Sequence, residues 1–295
     1  MTKRTGGEKL FNVINMAFLI LISLACLYPL WHVLMASLSD PILLNSHTGG
    51  FIIPNGFTLG GYVRVFENPN VFIGLKNSVF IVVMTTFLGV FVQTMAAYAL
   101  SHRGPKLNRF LLPVIIFTMY FGGGIIPFYI LTQSLGLLNT YWSVILPAVI
   151  STWNLIVLRT NFMAIPESLA ESAKLDGAND FIIYLFIILP LSGAVVAYVI
   201  LLQAVGQWNA WFNASMFITE PSKKPLMLIL REILIRSDGM NTMIQGAGTS
   251  PQQEQMDRIL LKYSTTIVSV IPIVIVYPFL QRYFVKGVMV GSIKG

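Results

Sequence analysis

Apolar residues run along this chain in blocks much longer than a half-buried strand or the single stripe of a surface helix would need. A helix requires about twenty mainly apolar residues to cross the hydrocarbon core of a bilayer. Six segments meet that measure: residues 11–35, 73–100, 110–131, 141–162, 181–206 and 263–284. Proline and glycine interrupt some of them, which membrane helices tolerate where neighbours satisfy the freed backbone groups. With no β-barrel alternation in these runs, the pattern predicts an all-α integral membrane protein with six transmembrane helices.

The polar stretches between the runs divide the chain. Residues 1–72 read as an N-terminal transmembrane helix and an extracytoplasmic loop, 73–284 as a core of five further helices, and 285–295 as a cytoplasmic tail. Composition agrees with a bilayer setting: 55% of the 295 residues are hydrophobic and 11% charged, and the mean hydropathy is +0.74. No ordinary soluble surface could be made from this. The net charge of +7 comes from Lys and Arg scattered between apolar runs, without the basic stripe of a nucleic-acid binder. A single Cys26 excludes an internal disulfide, and His32, His47 and His102 are too far apart in sequence to suggest a metal site. The first run is too long for a signal peptide and lacks a small-residue cleavage site, so it reads as a retained helix.

Positive charge orients the spans. Lys3, Arg4 and Lys9 precede the first, Arg103, Lys106 and Arg109 follow the second, and Arg282, Lys286 and Lys294 lie at the end. All share one side if both termini are cytoplasmic, and the loop 132–140, on the other side, carries none. The segment 207–262 breaks the pattern by placing Lys223, Lys224, Arg231, Arg236, Arg258 and Lys262 outside. It and residues 36–72 are too long to be turns and are candidate partner surfaces. Within it, 237–257 reads either as a protruding contact loop or as a solvated linker.

The most informative stretch, about 163–190, lies on the cytoplasmic side. Pro166 suits a first helical turn, Glu167 and Glu171 favour the positive end of the dipole, and Gly177 can take the left-handed conformation that ends a helix. A helix over 166–176 is expected, with Ile165, Leu169 and Ala173 as its apolar stripe. Asn179 or Asp180 can cap the next span, and Pro190 predicts a kink inside it.

Glu171-Ser172-Ala173-x3-Gly177-x9-Ile187-x-Leu189-Pro190 resembles the EAA signature of bacterial ABC importer permeases, with Ser172 where that pattern usually has Ala. The six-span layout, Gln207-Trp208-Asn209 and the tail 283–295 resemble the carbohydrate branch, close to the smaller permease of the maltose transporter. Residues 49–62 and 119–142 resemble permeases for complex oligosaccharides, including uronate-rich pectin or alginate fragments. The resemblance implies an extracytoplasmic sugar-binding protein, a second permease, and two ATPase subunits that hold ATP and Mg. It also implies that this chain docks to the ATPase through Glu167, Glu171, Ser172, Ala173, Asp176 and Gly177, with Leu189 and Pro190 completing the signature. The tail either touches the ATPase pair or anchors to anionic lipid.

Two absences point the same way. The chain has no G-x-x-x-x-G-K-[ST] phosphate loop, so it is not expected to be an enzyme, and Gly122-Gly123-Gly124 reads as a helix break. No segment carries a charged residue near its middle, which disfavours an ion-coupled carrier or channel; the third reading, a scaffold or receptor, leaves the signature unexplained. For the sugar pathway the candidates are Gln93, Asn154, Gln207, Trp208, Asn209 and Asn213, since sugars need both amide partners and aromatic cover. The other reading of the same residues is interfacial anchors and interhelical bridges.

Overall fold

A computed structural model describes residues 6–46, 49–102, 106–239, 258–275 and 278. The tail 285–295, the end of the sixth apolar run and most of the 237–257 loop lie outside the described residues. In chain order the helices are α1 (Gly6–Ser37), α2 (Pro41–Ser46), α3 (Gly60–Glu67), α4 (Pro69–Ser101), α5 (Lys106–Tyr120), α6 (Ile125–Ser134), α7 (Trp142–Val149), α8 (Thr152–Met163) and α9 (Glu167–Leu175). They continue as α10 (Asp180–Leu191), α11 (Gly193–Asn209), α12 (Phe212–Phe217), α13 (Leu226–Gly239) and α14 (Arg258–Ile275).

Among the described residues four candidate spans emerge by length and apolarity: α1, α4, the α7–α8 pair and α14. Two further spans are bent pairs, α5 with α6 at 111° and α10 with α11 at 82°. The expectation of six spans therefore holds if each bent pair counts as one, and the bends fall in the two runs where Gly122 to Gly124 and Pro190 predict a break or a kink. Gly122 to Gly124 make the first break: α5 ends at Tyr120, and Gly124 takes φ +86 to start α6 in a new direction. Glycine meets that backbone demand without the steric cost of a Cβ.

The described residues form two compact units. In the one drawn from Met1–Asn68 and Glu232–Val270, most of α1 is apolar and unburied, as a lipid-facing helix should be. Its end packs Met35 and Ala36 with Leu44, Phe51, Ile259 and Tyr263. Asp40 caps α2 by accepting from the Ile42 amide at 2.9 Å, with Pro41 at the first helical position. The Trp31 indole donates to the Ile52 carbonyl at 3.0 Å and the Phe51 amide to His32 Nδ1 at 3.3 Å, which pins the loop back on α1.

In the unit drawn from Pro69–Arg231 and Ile271–Gly295, α4 is the central post, packed by α7, α8 and α11. One end of its core gathers Ile81, Val144, Ile145, Val149, Ala214, Ile218 and Leu228. The other gathers Ala97, Leu158, Phe162, Ile183, Ile188 and Val199. That second cluster is the floor on which α9 rests.

Candidate functional site

The chain leaves α8 at Met163, turns through Pro166 and forms α9, nine residues with none buried. Pro166 lies just outside the helix in extended geometry (φ −58, ψ 129) and supplies no side-chain cap, so the helix is one residue shorter at each end than 166–176. Its C-terminus closes as a Schellman motif: the Ala178 amide donates to Ala173 O at 2.9 Å, and the Gly177 amide to Lys174 O at 3.0 Å. Gly177 takes φ +86, the left-handed conformation the motif requires. Asn179 then caps α10, accepting from the Ile182 amide at 2.9 Å, and Lys174 meets Asp180 at 3.0 Å across the turn.

The face of α9 that meets the protein is built from small residues. Ala170 and Ala173, with Ile165 and Ala178, pack on the cluster of Phe162, Ile183 and Ile188. Leu169, expected in the stripe, is instead 42% exposed, and Leu175 is 90% exposed. Alanines bring the helix close to its floor, and the turn that this close seat requires carries both leucines outward with Glu167, Glu171 and Ser172. A cleft of about 200 Å³ opens alongside, lined among others by Tyr98, His102, Met163, Glu167, Glu171 and Lys174. An exposed helix presenting two leucines and two carboxylates from a rigid base is a surface a partner can grip.

The base is fixed by contacts that the sequence does not announce. Arg159 Nε donates to Leu100 O at 3.0 Å, and Asn108 donates to Ala99 O and His102 O at 3.1 and 3.2 Å. These cover the last carbonyls of α4, where a cation is also favoured by the helix dipole. Thr94 and Tyr184 hydroxyls pair at 2.8 Å between α4 and α10. Within α10, residues Tyr184–Ile188 form a π-helical turn just before Leu189 and Pro190. The wider turn absorbs the missing proline amide, and the chain then breaks at Ser192, whose amide bonds both Ile188 O and Leu189 O. The kink expected from Pro190 is thus a π turn plus a break two residues later.

The candidate pathway residues separate into two environments. Gln93 is fully buried and donates to Val149 O at 2.7 Å, Asn154 donates to Gln203 Oε1 at 3.1 Å, and Gln203 donates to Ala148 O. Ala148 and Val149 are the last carbonyls of α7 before the chain extends through Ile150 and Ser151 into α8. The amides therefore supply donors to a helix end that the break would leave unpaired inside a bilayer. Gln207 and Trp208 are also buried; Trp208 lines an apolar recess with Val79, Val83, Leu201 and Pro272. Asn209 is exposed and bonds its own helix at Val205 O, and Asn213 is half-buried.

Beyond α11 the chain is tied firmly to the start of α4. Asn77 donates to Ser222 O and Lys224 O at 2.9 and 3.0 Å and accepts from the Tyr141 hydroxyl at 2.9 Å. Asn139, at φ +58, receives Thr219 and Glu220 on its side-chain oxygen. Hydrogen bonds from Lys223 and Ser222 hold the exposed Glu220 carboxyl below its usual range.

Comparison with known proteins gives four findings. Residues 85–290 match the family described as "Binding-protein-dependent transport system inner membrane component". The chain is 38% identical over 289 residues to the polygalacturonan/rhamnogalacturonan transport system permease protein YtcP of Bacillus subtilis, covering 98% of this chain and 99% of that one. It is 30% identical to the arabinooligosaccharides transport system permease protein AraQ of Halalkalibacterium halodurans, covering 93% of each. Its fold matches a chain of a bacterial ABC transporter that imports the acidic polysaccharide alginate, with TM-score 0.82, 26% identity, and coverage of 96% of this chain and 100% of that one.

Proposed function

The chain belongs to the binding-protein-dependent family of inner-membrane transport components, and we propose that it forms half of the sugar pathway of an ATP-driven importer coupled through α9. It is a multi-pass permease subunit of an ABC importer and not an ATPase. The substrate in this reading is an oligosaccharide, uronate-bearing in particular. The oligosaccharide is supported by the substrates named for YtcP, AraQ and the alginate transporter, and the uronate by the acidic substrates of YtcP and the alginate transporter alone.

Both termini lie in the cytoplasm in this reading, and residues 36–72 and 207–262 face outward, toward the sugar-binding protein. A second permease completes the pathway, and two ATPase subunits hold ATP and Mg. The observation that carries the coupling role is α9 itself, exposed along one side and seated on alanines, with its exit fixed by Gly177. Closure of an ATPase pair against it would push on α8 and α10 together, since α9 joins them with short turns.

The transporter can be purified with its co-purifying subunits, identified by mass spectrometry, and reconstituted with its binding protein. Oligosaccharide uptake that requires ATP and stops with vanadate supports the reading. Uptake that persists in vanadate, or a preparation without an ATPase, overturns it. Glu171→Lys reverses a charge on the exposed face of α9 and is expected to cut transport at least tenfold. Unchanged transport in that variant sinks the role of α9 and leaves the importer standing.

A further inference from the structure

The cations between α11 and α14 sit where the orientation rule places few. One of them is held in a built position. The guanidinium carbon of Arg231 lies 3.3 Å from the centroid of the Trp211 ring, at the exposed edge of α13. No carboxylate among the described residues pairs with Arg231. Glu220, on the same segment, is already engaged by Lys223 at 2.7 Å and Ser222 at 2.6 Å.

The ground under this pair is rigid. The Leu226 amide that opens α13 donates to Ser78 Oγ on α4 at 2.8 Å. Gly74 lies so near that a Cβ would come within 3.1 Å of the Leu226 backbone. Ala214, Ile218 and Leu228 are buried in the core cluster of α4 and α7, fixing the segments that carry Trp211 and Arg231. Holding an arginine on an aromatic face removes most of the freedom that an exposed arginine would otherwise lose on binding. A cation–π contact uses none of the five N–H donors. Among the described residues no carboxylate takes those donors, which form a planar fork that matches a carboxylate with two parallel hydrogen bonds.

We infer that Arg231, oriented by Trp211, is a carboxylate-selecting contact at the outer mouth of the pathway and reads the uronate groups of an acidic oligosaccharide. The inference rests on the importer reading above. It also gives the outer cations a use: they favour an acidic sugar as it leaves the binding protein, an attraction that salt screens.

The test uses the reconstituted transporter with trigalacturonate and its methyl ester, which match in sugar skeleton and differ in charge. The expected wild-type result is ATP-dependent uptake that favours the free acid, with a preference that shrinks as salt rises. Arg231→Gln is expected to lower the acid-to-ester uptake ratio roughly tenfold, the loss of one charge-assisted contact, mainly through KM for the acid. Arg231→Lys, a point charge without the fork, falls between, and Trp211→Ala lowers the ratio by releasing the guanidinium. An unchanged ratio in Arg231→Gln overturns the inference and spares the importer. So does a parallel fall for both sugars, which would make Arg231 a binding-protein or folding contact. A wild type that prefers the ester overturns it as well. A wild type that imports neither sugar with ATP overturns the substrate reading and this inference with it.

Discussion

Two glycines in this chain are required for opposite reasons. Gly177 stands in open space: a Cβ there would meet nothing within 4 Å, but its φ of +86 belongs to the left-handed region. Gly177→Ala is expected to destabilise the α9 exit by about 1–2 kcal/mol, and Gly177→Asn by less because Asn tolerates that region. Transport assays should rank Asn above Ala while assembly stability barely changes. Gly89 is crowded instead: a Cβ would sit 2.9 Å from Val149 O and 2.9 Å from Gln203 Nε2. Gly89→Ala is expected to cost about 1–3 kcal/mol and to lower the Tm of the solubilised transporter. Gly177 could be read from sequence because a helix ending at a glycine is a local signal. Gly89 could not, because its crowding is made by residues about sixty and more than a hundred positions away.

At the scale of elements, the membrane part is organised by breaks. The α7–α8 break exposes carbonyls that the bilayer cannot hydrate, and Gln93 and Gln203 reach them from α4 and α11. Gln93→Leu or Gln203→Leu is expected to destabilise by about 1–3 kcal/mol through an unpaired carbonyl. The double variant should cost less than the sum, since Gln93 also donates to Gln203 Oε1 at 3.5 Å. Thermal unfolding of the solubilised complex for the wild type and the three variants checks both statements; full additivity would refute the shared network. Amides inside apolar runs were legible as notable in the sequence. Whether they faced sugar or helix ends was not, because a glutamine's partner depends on which backbone the packing brings to it.

At the scale of the whole molecule, α9 is exposed along one side, and the proposed importer would pass force through it between the membrane helices and an ATPase. Leu175 projects from it at 90% exposure, so Leu175→Ser removes nothing from the permease's own core. Its expected effect on permease stability is within about 0.5 kcal/mol, whereas ATPase retention during purification and vanadate-sensitive uptake should both fall. Loss of stability with ATPase retention intact would show that Leu175 serves the fold and not the partner.

The sequence by itself determined the all-α membrane class, the number of apolar runs, the place and approximate length of α9, and its glycine exit. These follow from forces that act within a few residues: the length that lipid demands, helix capping, and the conformations open to glycine and proline. Only the tertiary structure decided that two runs bend by 111° and 82°, and that Leu169 turns outward while Ala170 turns inward. It also decided that Arg231 lies on Trp211. Those outcomes depend on contacts between residues distant along the chain, and the backbone breaks set which contacts form. Periodicity registers that a break occurs but not the direction the chain takes after it.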